Sequence, residues 1–534
     1  MNKTFIELIA IPLLATAISS ISGCWNNGGA GGASTDDGDT DSDPGADTDA
    51  DSDTDSDTDS DTDSDTDSDS DSDTGTGPQI YEEPYLWHTF HGSFEADIAT
   101  AAATGAGGAI YVTGESTISW NGPADQAPLN PHSGESDLFV MRLDADGGYL
   151  WHTFHGGPDL DLALALAVDT DDNPYVAASS HSTWNGPGGQ APLHAHAGYY
   201  DTAVLALDPD GGYLWHTFYG SPNTDMVYSI AVDSTGDPRL TGGSDESWLG
   251  PAGEDPVDPH SDHSSLFVLA LDSLGGYQWH TFHGDASLTC NSIALDDGDD
   301  VYVAGTSYSG WDGPAGQDPL NPFDMGSAYS DAFVLKLDAT GAYQWHTFHG
   351  GAFADSAFSI VSDGPNRLYV TGNSSAGWYG PGSEPPVNDH SWGDDIFALA
   401  LSTNGEYQWH AFYGGDSSYT WGYGSVGDDG NLYIAGTSSA AWNGPAGQTP
   451  LAPYSADDDI TIISLGPDGS YRWHDFYGGV EQDVSYSHPH MAGSRIYTTG
   501  MSLESWDGPS GEGPLHGHSG YGDALVIALE LDDP

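Results

Sequence analysis

Histidine and tryptophan recur together along the chain in a pattern that suggests metal chemistry. A Trp-His pair closes seven similar phrases, whose histidines are His88, His152, His216, His280, His346, His410 and His474. Imidazole is a common metal ligand, but a metal site needs three or four ligands that converge on one point. One histidine per repeat distributes the imidazoles around the molecule. The pattern therefore favours packing of imidazole and aromatic rings between repeats, and we predict neither a metal nor a cofactor.

The chain shows no catalytic motif. Cys290 is the only cysteine after Cys24 and lies in an apolar segment, where a small buried residue is the simpler interpretation than a nucleophile. An arginine triad of the sialidase type is improbable, since the repeats contain only five arginines: Arg142, Arg239, Arg367, Arg472 and Arg495. We therefore predict that the protein is not an enzyme.

A second aromatic series could bind a ligand directly. The phrase Trp-x-Gly-Pro occurs seven times, with its tryptophan at Trp120, Trp184, Trp248, Trp311, Trp378, Trp442 and Trp506. Tryptophan supplies a rigid stacking surface for sugars or peptides, so these seven residues are the predicted ligand-binding residues. The alternative is that each tryptophan anchors its own loop.

The charge of the chain limits the class of ligand. The 534 residues include 82 acidic and only 7 basic residues, a formal net charge of −75. Such a protein repels phosphate backbones, which excludes nucleic acid as a partner. A neutral or cationic ligand, such as a neutral glycan, escapes that repulsion.

The first 23 residues are predicted to be a lipoprotein signal peptide. A short apolar stretch ends in Ile21-Ser22-Gly23-Cys24, which resembles the lipobox of bacterial lipoproteins. The resemblance implies cleavage before Cys24 and its lipidation, so the membrane becomes a partner through Cys24. We expect an exported, membrane-anchored protein, at the outer membrane or cell surface if the cell is Gram-negative.

Residues 24–78 are predicted to be a disordered acidic tether. Asp alternates with Ser and Thr, with 19 Asp between Asp36 and Asp73 and no Lys or Arg. Like charges and the lack of apolar side chains oppose collapse of such a segment. A calcium loop needs a turn-forming glycine and a closed ring of oxygens, and no loop of that kind is recognisable here.

Residues 79–534 form an internal repeat that predicts an all-β fold. The tryptophans of Tyr-x-Trp-His are 64 residues apart, or 66 once, and 72 glycines and many aromatics indicate turns and sheets. One unit is predicted to contain four strands, at 357–361, 368–372, 396–401 and 407–413, which are separated by Asp, Gly, Asn and Pro. About 20 residues form a loop between strands two and three.

Four short strands repeated seven times predict a seven-bladed β-propeller. A stacked solenoid, or closure with six or eight blades, is the alternative. The array begins with a lone fourth strand at 85–90 and ends with a third strand at 524–529. If these two strands pair, the N-terminal strand closes the ring and leaves no open sheet edge between the termini.

Segments such as Asp331 to Gly341 and Leu368 to Gly372 resemble the SBBP repeat of exported bacterial proteins. The resemblance covers about 450 residues and implies a seven-bladed propeller without general catalytic residues. The Trp-x-Gly-Pro loop and the Trp-His-Thr-Phe strand are more elaborate here than in that family.

Taken together, the patterns predict a monomeric binding or scaffold module that binds a glycan or protein on a loop-bearing face around one mouth of the channel. A structural cell-surface spacer is the alternative, and a hydrolase or lyase with its site at the channel mouth is a further one. Any unique site is expected in the irregular sixth and seventh blades, at 418–423 and 486–490.

Overall fold

The computed structural model describes residues 83–531 except 262, 285–287, 325–328 and 417. Within them the chain forms seven four-stranded antiparallel blades arranged in a ring. Short 3₁₀ turns at Ala106–Gly108, Pro123–Asp125 and Gly364–Asn366 are the only helical elements of this described part. The prediction of an all-β, seven-bladed propeller is confirmed.

Each blade runs from an inner first strand to an outer fourth strand. The strands of blades one to three are β2 (Asp97–Thr104), β3 (Ile110–Ser116), β4 (Asp137–Leu143), β5 (Tyr149–His155), β6 (Asp161–Val168), β7 (Pro174–Ser180), β8 (Asp201–Leu207), β9 (Tyr213–Tyr219), β10 (Asp225–Val232), β11 (Pro238–Ser244), β12 (Ser265–Leu271) and β13 (Tyr277–His283). Those of blades four to six are β14 (Leu288–Leu295), β15 (Val301–Ser307), β16 (Asp331–Leu337), β17 (Tyr343–His349), β18 (Asp355–Asp363), β19 (Arg367–Ser374), β20 (Asp395–Leu401), β21 (Tyr407–Tyr413), β22 (Thr420–Val426), β23 (Leu432–Ser438), β24 (Asp459–Leu465) and β25 (Tyr471–Tyr477).

Blade seven is assembled from both ends of the propeller. Its first strand is split into β26 (Asp483–Ser485) and β27 (His490–Ala492), which both pair with β28 (Arg495–Ser502), and the blade continues with β29 (Asp523–Glu530) and β1 (Tyr85–His91). The N-terminal strand β1 pairs antiparallel with β29, with Trp87 opposite Ala528 and His91 opposite Ala524. The predicted closure of the ring by the N-terminal strand is confirmed.

The core lies between neighbouring blades rather than within one sheet. One cluster, for example, joins Tyr111 and Val140 of blade one to Val176 and Leu205 of blade two, all at most 2% exposed. Both faces of each sheet are buried, which is why the strands read as near-continuous apolar runs. Each blade is therefore held by its two neighbours, and the closed ring leaves no blade with only one.

The long loop between the second and third strands of a blade covers the outer edge of that blade. In blade one, Leu129 N–H donates to the His152 carbonyl at 2.9 Å and Phe154 N–H donates to the Asn130 carbonyl at 3.1 Å. The same two bonds recur in all seven blades. An outer strand otherwise presents unpaired backbone groups, so the loops protect seven sheet edges. The expectation that they surround the channel mouth is corrected, because these segments run along the periphery of the ring.

A tryptophan on six of the seven outer strands contacts a turn glycine of the next blade. Trp151 of blade one donates from its indole nitrogen to the Pro209 carbonyl of blade two at 3.2 Å. A Cβ at Gly211, whose φ is +81°, would lie within 3.1 Å of Trp151. Glycine is required there both by the backbone conformation and by the close indole. The turn glycine therefore leaves room for the indole of the preceding blade.

The predicted signal peptide, Cys24 and the acidic tether lie outside the described residues. Among the residues that are described, no helix is long and apolar enough to cross a membrane.

Candidate ligand-binding face

The two faces of the ring differ because of the direction of the strands. First and third strands begin on one face, where the blade-to-blade connections and the long loops also start; we call it the loop face. The tight turns after first and third strands lie on the opposite, turn face. This placement of loops and connections on one face was predicted and follows from the antiparallel order of each blade.

The seven Trp-x-Gly-Pro tryptophans are buried at the start of their loops. Their exposed fractions are only 3–7%. Each indole stacks on the histidine of the outer strand of its own blade, with ring centroids 3.8–4.0 Å apart and planes within 10°. The geometry is that of a loop anchor. Because histidine covers the indole face, a ligand that binds these loops would have to use other residues.

The stacked histidines have a fixed tautomer. In blade one, His152 Nε2 lies 3.1 Å from the Trp120 carbonyl, which can only accept, so Nε2 carries the proton. The other nitrogen, Nδ1, accepts from the Tyr149 hydroxyl at 2.6 Å. The same Tyr–His–Trp chain occurs in all seven blades, with distances of 2.5–2.8 Å and 2.8–3.1 Å.

Burial keeps these imidazoles neutral. It lowers the pKa of His152 to about 4, and the same cause lowers the pKa of the other six. Both nitrogens of each ring are already engaged in hydrogen bonds. In the Trp151-His152 phrase, for example, the indole packs against the next blade as predicted, whereas the imidazole stacks within its own blade, which corrects that part of the expectation. In the described part of the chain, no three His, Cys, Asp or Glu side chains group in a way that could hold a metal ion.

The exposed aromatic side chains of the loop face are different residues. An eighth exposed aromatic, Tyr379, follows Trp378 in its loop. The other seven lie in the connections that precede first strands, or within three residues of a third strand, and are Phe94, Tyr199, Tyr329, Phe353, Trp392, Tyr419 and Tyr521. Their exposed fractions run from 38% for Tyr329 to 91% for Trp392. Sequence reasoning missed them because they recur in only some of the repeats: Tyr199, Tyr329 and Tyr521 lie two residues before a third strand, whereas the other four positions occur singly.

Six of these aromatics occur as pairs at three blade junctions. Tyr329 and Phe353 stack with ring centroids 5.6 Å apart. Phe94 and Tyr521 precede residues joined by the parallel bridge between Ala96 and Gly522. Tyr419 forms the corresponding bridge with Asp394, which lies two residues after Trp392. One junction therefore presents a stacked aromatic pair, and two others bring two exposed aromatic residues close together along the backbone, an arrangement that suits stacking on flat, weakly polar groups.

The loop face is strongly acidic. Exposed carboxylates such as Glu95, Glu135, Asp457 and Glu481 lie in its loops and connections. The six described basic residues lie instead near the turn face, at starts of second or fourth strands or ends of third strands, and are Arg142, Arg239, Lys336, Arg367, Arg472 and Arg495. They form ion pairs with acids there, for example Arg239 with Asp233 at 2.5 Å. The loop face therefore repels polyanions, as the net charge predicted.

The irregular sixth and seventh blades bring aromatic and polar side chains to the channel. Phe358 and Tyr423 have ring centroids 6.0 Å apart, and Tyr423 and His488 are 5.4 Å apart. Ser359 Oγ lies 3.1 Å from His488 Nδ1, but it also donates to the Gly424 carbonyl at 3.1 Å. Burial lowers the pKa of His488 to about 4, which makes it a weak base. Cys290 is fully buried, and burial raises the pKa of its thiol.

The fold and this face define the chain as a seven-bladed β-propeller, a class whose members typically serve as binding or scaffold modules. No family model matches the chain. It is 23% identical over 255 residues to an uncharacterized WD repeat-containing protein, L264, of Acanthamoeba polyphaga mimivirus, covering 40% of this chain and 18% of that protein. It is 26% identical over 246 residues to the regulatory protein FlaEY of Caulobacter vibrioides, covering 46% of this chain and 25% of that protein.

The chain thus spans a quarter or less of the length of these relatives. Among solved structures, Sqt1 from Chaetomium thermophilum is 12% identical with a TM-score of 0.39, over 84% of this chain and all of that one. A protein of unknown function from Bacteroides caccae is 12% identical with a TM-score of 0.29, over 62% of this chain and 94% of that one.

Proposed function

We propose that this chain is a non-enzymatic binding module, exported and anchored by lipid at Cys24, whose loop face binds a neutral polymer such as a glycan at several shallow sites. The observation that carries the proposal is the set of seven exposed aromatic side chains at the junctions of the acidic loop face. The described Lys and Arg side chains lie near the opposite, turn face. Aromatic rings stack on sugars, and the acidic surroundings disfavour sulfated or phosphorylated polymers.

Several weak sites on one rim favour a repetitive ligand. Each aromatic pair offers little contact area, so a single sugar unit would bind weakly. A polymer that contacts two or three junctions at once gains avidity, because the second contact is intramolecular. A tether of about 50 residues between lipid and propeller would let the loop face turn toward such a polymer.

A glycan array followed by polysaccharide pull-down tests the binding proposal. The variant carries Phe94→Ala, Phe353→Ala and Trp392→Ala, which remove one ring from each pair without opening the core. We expect it to keep the melting temperature of the unaltered protein and to lose most of the retained polymer. Equal retention by variant and unaltered protein, or no bound glycan at all, would favour the spacer or the protein scaffold instead.

Lipid anchoring has its own test. Cys24→Ala should abolish labelling by a fatty-acid probe and release the protein from membranes. Cys24→Ser is the matched control, since it keeps the size and polarity of the side chain while removing the thiol. Membrane retention of both variants would refute the anchor.

A further inference from the structure

Buried carboxylates face each other where neighbouring blades meet on the loop face. The first residue of a third strand and the first residue of the next blade's first strand are both aspartate at five of the seven junctions. These pairs are Asp137 with Asp161, Asp201 with Asp225, Asp331 with Asp355, Asp459 with Asp483, and Asp523 with Asp97. All ten side chains are at most 1% exposed.

The two carboxylates of a pair lie on either side of one glycine. A point in the Cβ position of Gly156 lies 2.6 Å from Asp137 Oδ1 and 2.8 Å from Asp161 Oδ2. Gly220 and Gly350 have the same surroundings, with distances of 2.7–2.9 Å to their own pairs. The paired carboxylates explain the Gly that follows the outer strand at the five paired junctions, because a side chain there would meet two carboxylates.

At four of the five paired junctions, one carboxylate oxygen of the pair accepts no hydrogen bond. Asp161 is fully bonded: its Oδ1 accepts from Ser180, and its Oδ2 accepts from Gly157 N–H at 2.6 Å. Asp137 Oδ2 accepts from Ser133 N–H at 2.6 Å, but its Oδ1 is buried without a partner. The atoms in this situation are Oδ1 of Asp137, Asp201, Asp331 and Asp523. At the remaining pair, Asp459 Oδ1 accepts from Ser455 at 2.8 Å.

We propose that at these four junctions the two aspartates share one proton, which Oδ1 of the third-strand aspartate carries and donates toward Oδ2 of the first-strand aspartate. Two adjacent buried carboxylates cannot both be charged without a large cost in desolvation and repulsion. A single proton removes one charge and gives the orphaned oxygen a hydrogen-bond partner. The proton thus joins one blade to the next at the start of their strands.

The surroundings supply no basic side chain to neutralise the pairs, since the described Lys and Arg residues lie near the turn face. The titratable groups that do face the eight aspartates are His132 beside Asp137, Tyr200 beside Asp161, His194 and His196 beside Asp201, and Asp324 beside Asp331. Burial is the first cause that raises the pKa of Asp161 to about 7 and of Asp97, Asp225 and Asp331 to about 6.

An amide substitution tests the proton directly. In Asp137→Asn, Asp201→Asn, Asp331→Asn and Asp523→Asn, combined in one full chain, the amide N–H replaces the shared O–H and cannot be lost. At each junction burial raises the pKa of the first-strand aspartate, so the contribution of the proton-sharing pair to stability is present at low pH and is lost as pH rises through about 6 to 7. The melting temperature of the variant minus that of the unaltered protein should therefore increase from pH 5 to pH 8.

The matched control is Asp395→Asn, because Asp395 faces Thr420 rather than a carboxylate at its junction. Burial also raises the pKa of Asp395, so its difference should increase with pH, but by less than the average increase per substitution in the fourfold variant. Infrared absorption of protonated carboxyl groups at pH 6 should be present in the unaltered protein and reduced in the fourfold variant. A difference that is flat or falls with pH, or an infrared band that is unaffected, would overturn the proposal. If Ca²⁺ raises the melting temperature at pH 8 and a change to pH 5 does not, a cation between the carboxylates replaces the shared proton and the proposal is overturned.

Discussion

Removal of one buried tryptophan should destabilise the ring far more than removal of an exposed one in an equivalent loop. Trp311 is 3% exposed, stacks on His346 at 3.9 Å and meets Phe348 edge-on at 5.7 Å. Trp311→Ala removes the indole but keeps the backbone carbonyl that accepts from His346. A large-to-small change at such a site costs about 3–5 kcal/mol of the free energy of unfolding.

The control is Trp392→Ala, at a residue that is 91% exposed. Loss of a surface side chain away from packed features usually changes stability by less than about 0.5 kcal/mol. Both variants are compared with the unaltered protein by urea denaturation, followed by tryptophan fluorescence and by circular dichroism. Coincident transitions by the two probes would justify a single free energy of unfolding for the ring.

We expect a large loss of stability for Trp311→Ala and almost none for Trp392→Ala. A loss below about 1 kcal/mol for Trp311→Ala would mean that the loop is not anchored by its indole. A similar loss for both variants would mean that the exposed aromatics are structural. Either result would refute the assignment of the two tryptophan sets.

Three further predictions concern closure, protonation and packing. Deleting 79–92 should lower the unfolding midpoint sharply because it removes β1 and exposes β29, whereas deleting 30–75 should not; equal midpoints would contradict closure by the N-terminal strand. Burial lowers the pKa of His152 from 6.5 to about 4, so its contribution to stability is present above pH 6.5 and lost on acidification toward pH 4. The stability advantage of the unaltered protein over His152→Gln, measured by thermal unfolding, should therefore shrink over that range; a constant advantage would show that His152 does not titrate as described. Gly122→Ala places a Cβ within 2.4–2.8 Å of the Tyr149 ring and should cost about 1–3 kcal/mol in thermal unfolding, while Gly517→Ala, with no atom within 4 Å, should be nearly neutral; equal effects would contradict this packing.

The architecture could be predicted from the sequence because the same four-strand pattern recurs seven times. The predicted strands 357–361, 368–372, 396–401 and 407–413 lie within β18, β19, β20 and β21 as observed. The ends of the array predicted the pairing of β1 with β29, since each end lacked the strand that the other provides. Turn residues at fixed spacing carried this information.

The positions of the side chains could not be read in the same way. A tryptophan at a regular place in a loop is compatible with both a stacking surface and an anchor, and only the position of His152 against Trp120 separates the two. The edge-covering role of Leu129 and Asn130 depends on backbone hydrogen bonds, which leave no mark on residue type. Trp392 and Phe94 escaped notice because they break the repeat, and the aspartate pairs because their members belong to different units.

The central claim is that the loop face holds a polymer through several weak aromatic sites. It is tested most directly by comparing binding of a polysaccharide found on the array with binding of its short oligosaccharide, on the unaltered protein in solution. Multivalent contact predicts that the polymer binds at least about 100-fold more tightly per chain than the oligosaccharide. It also predicts that Trp392→Ala weakens the polymer more than the oligosaccharide. Equal affinities for polymer and oligosaccharide, or a single saturable site insensitive to Trp392→Ala, would contradict the account.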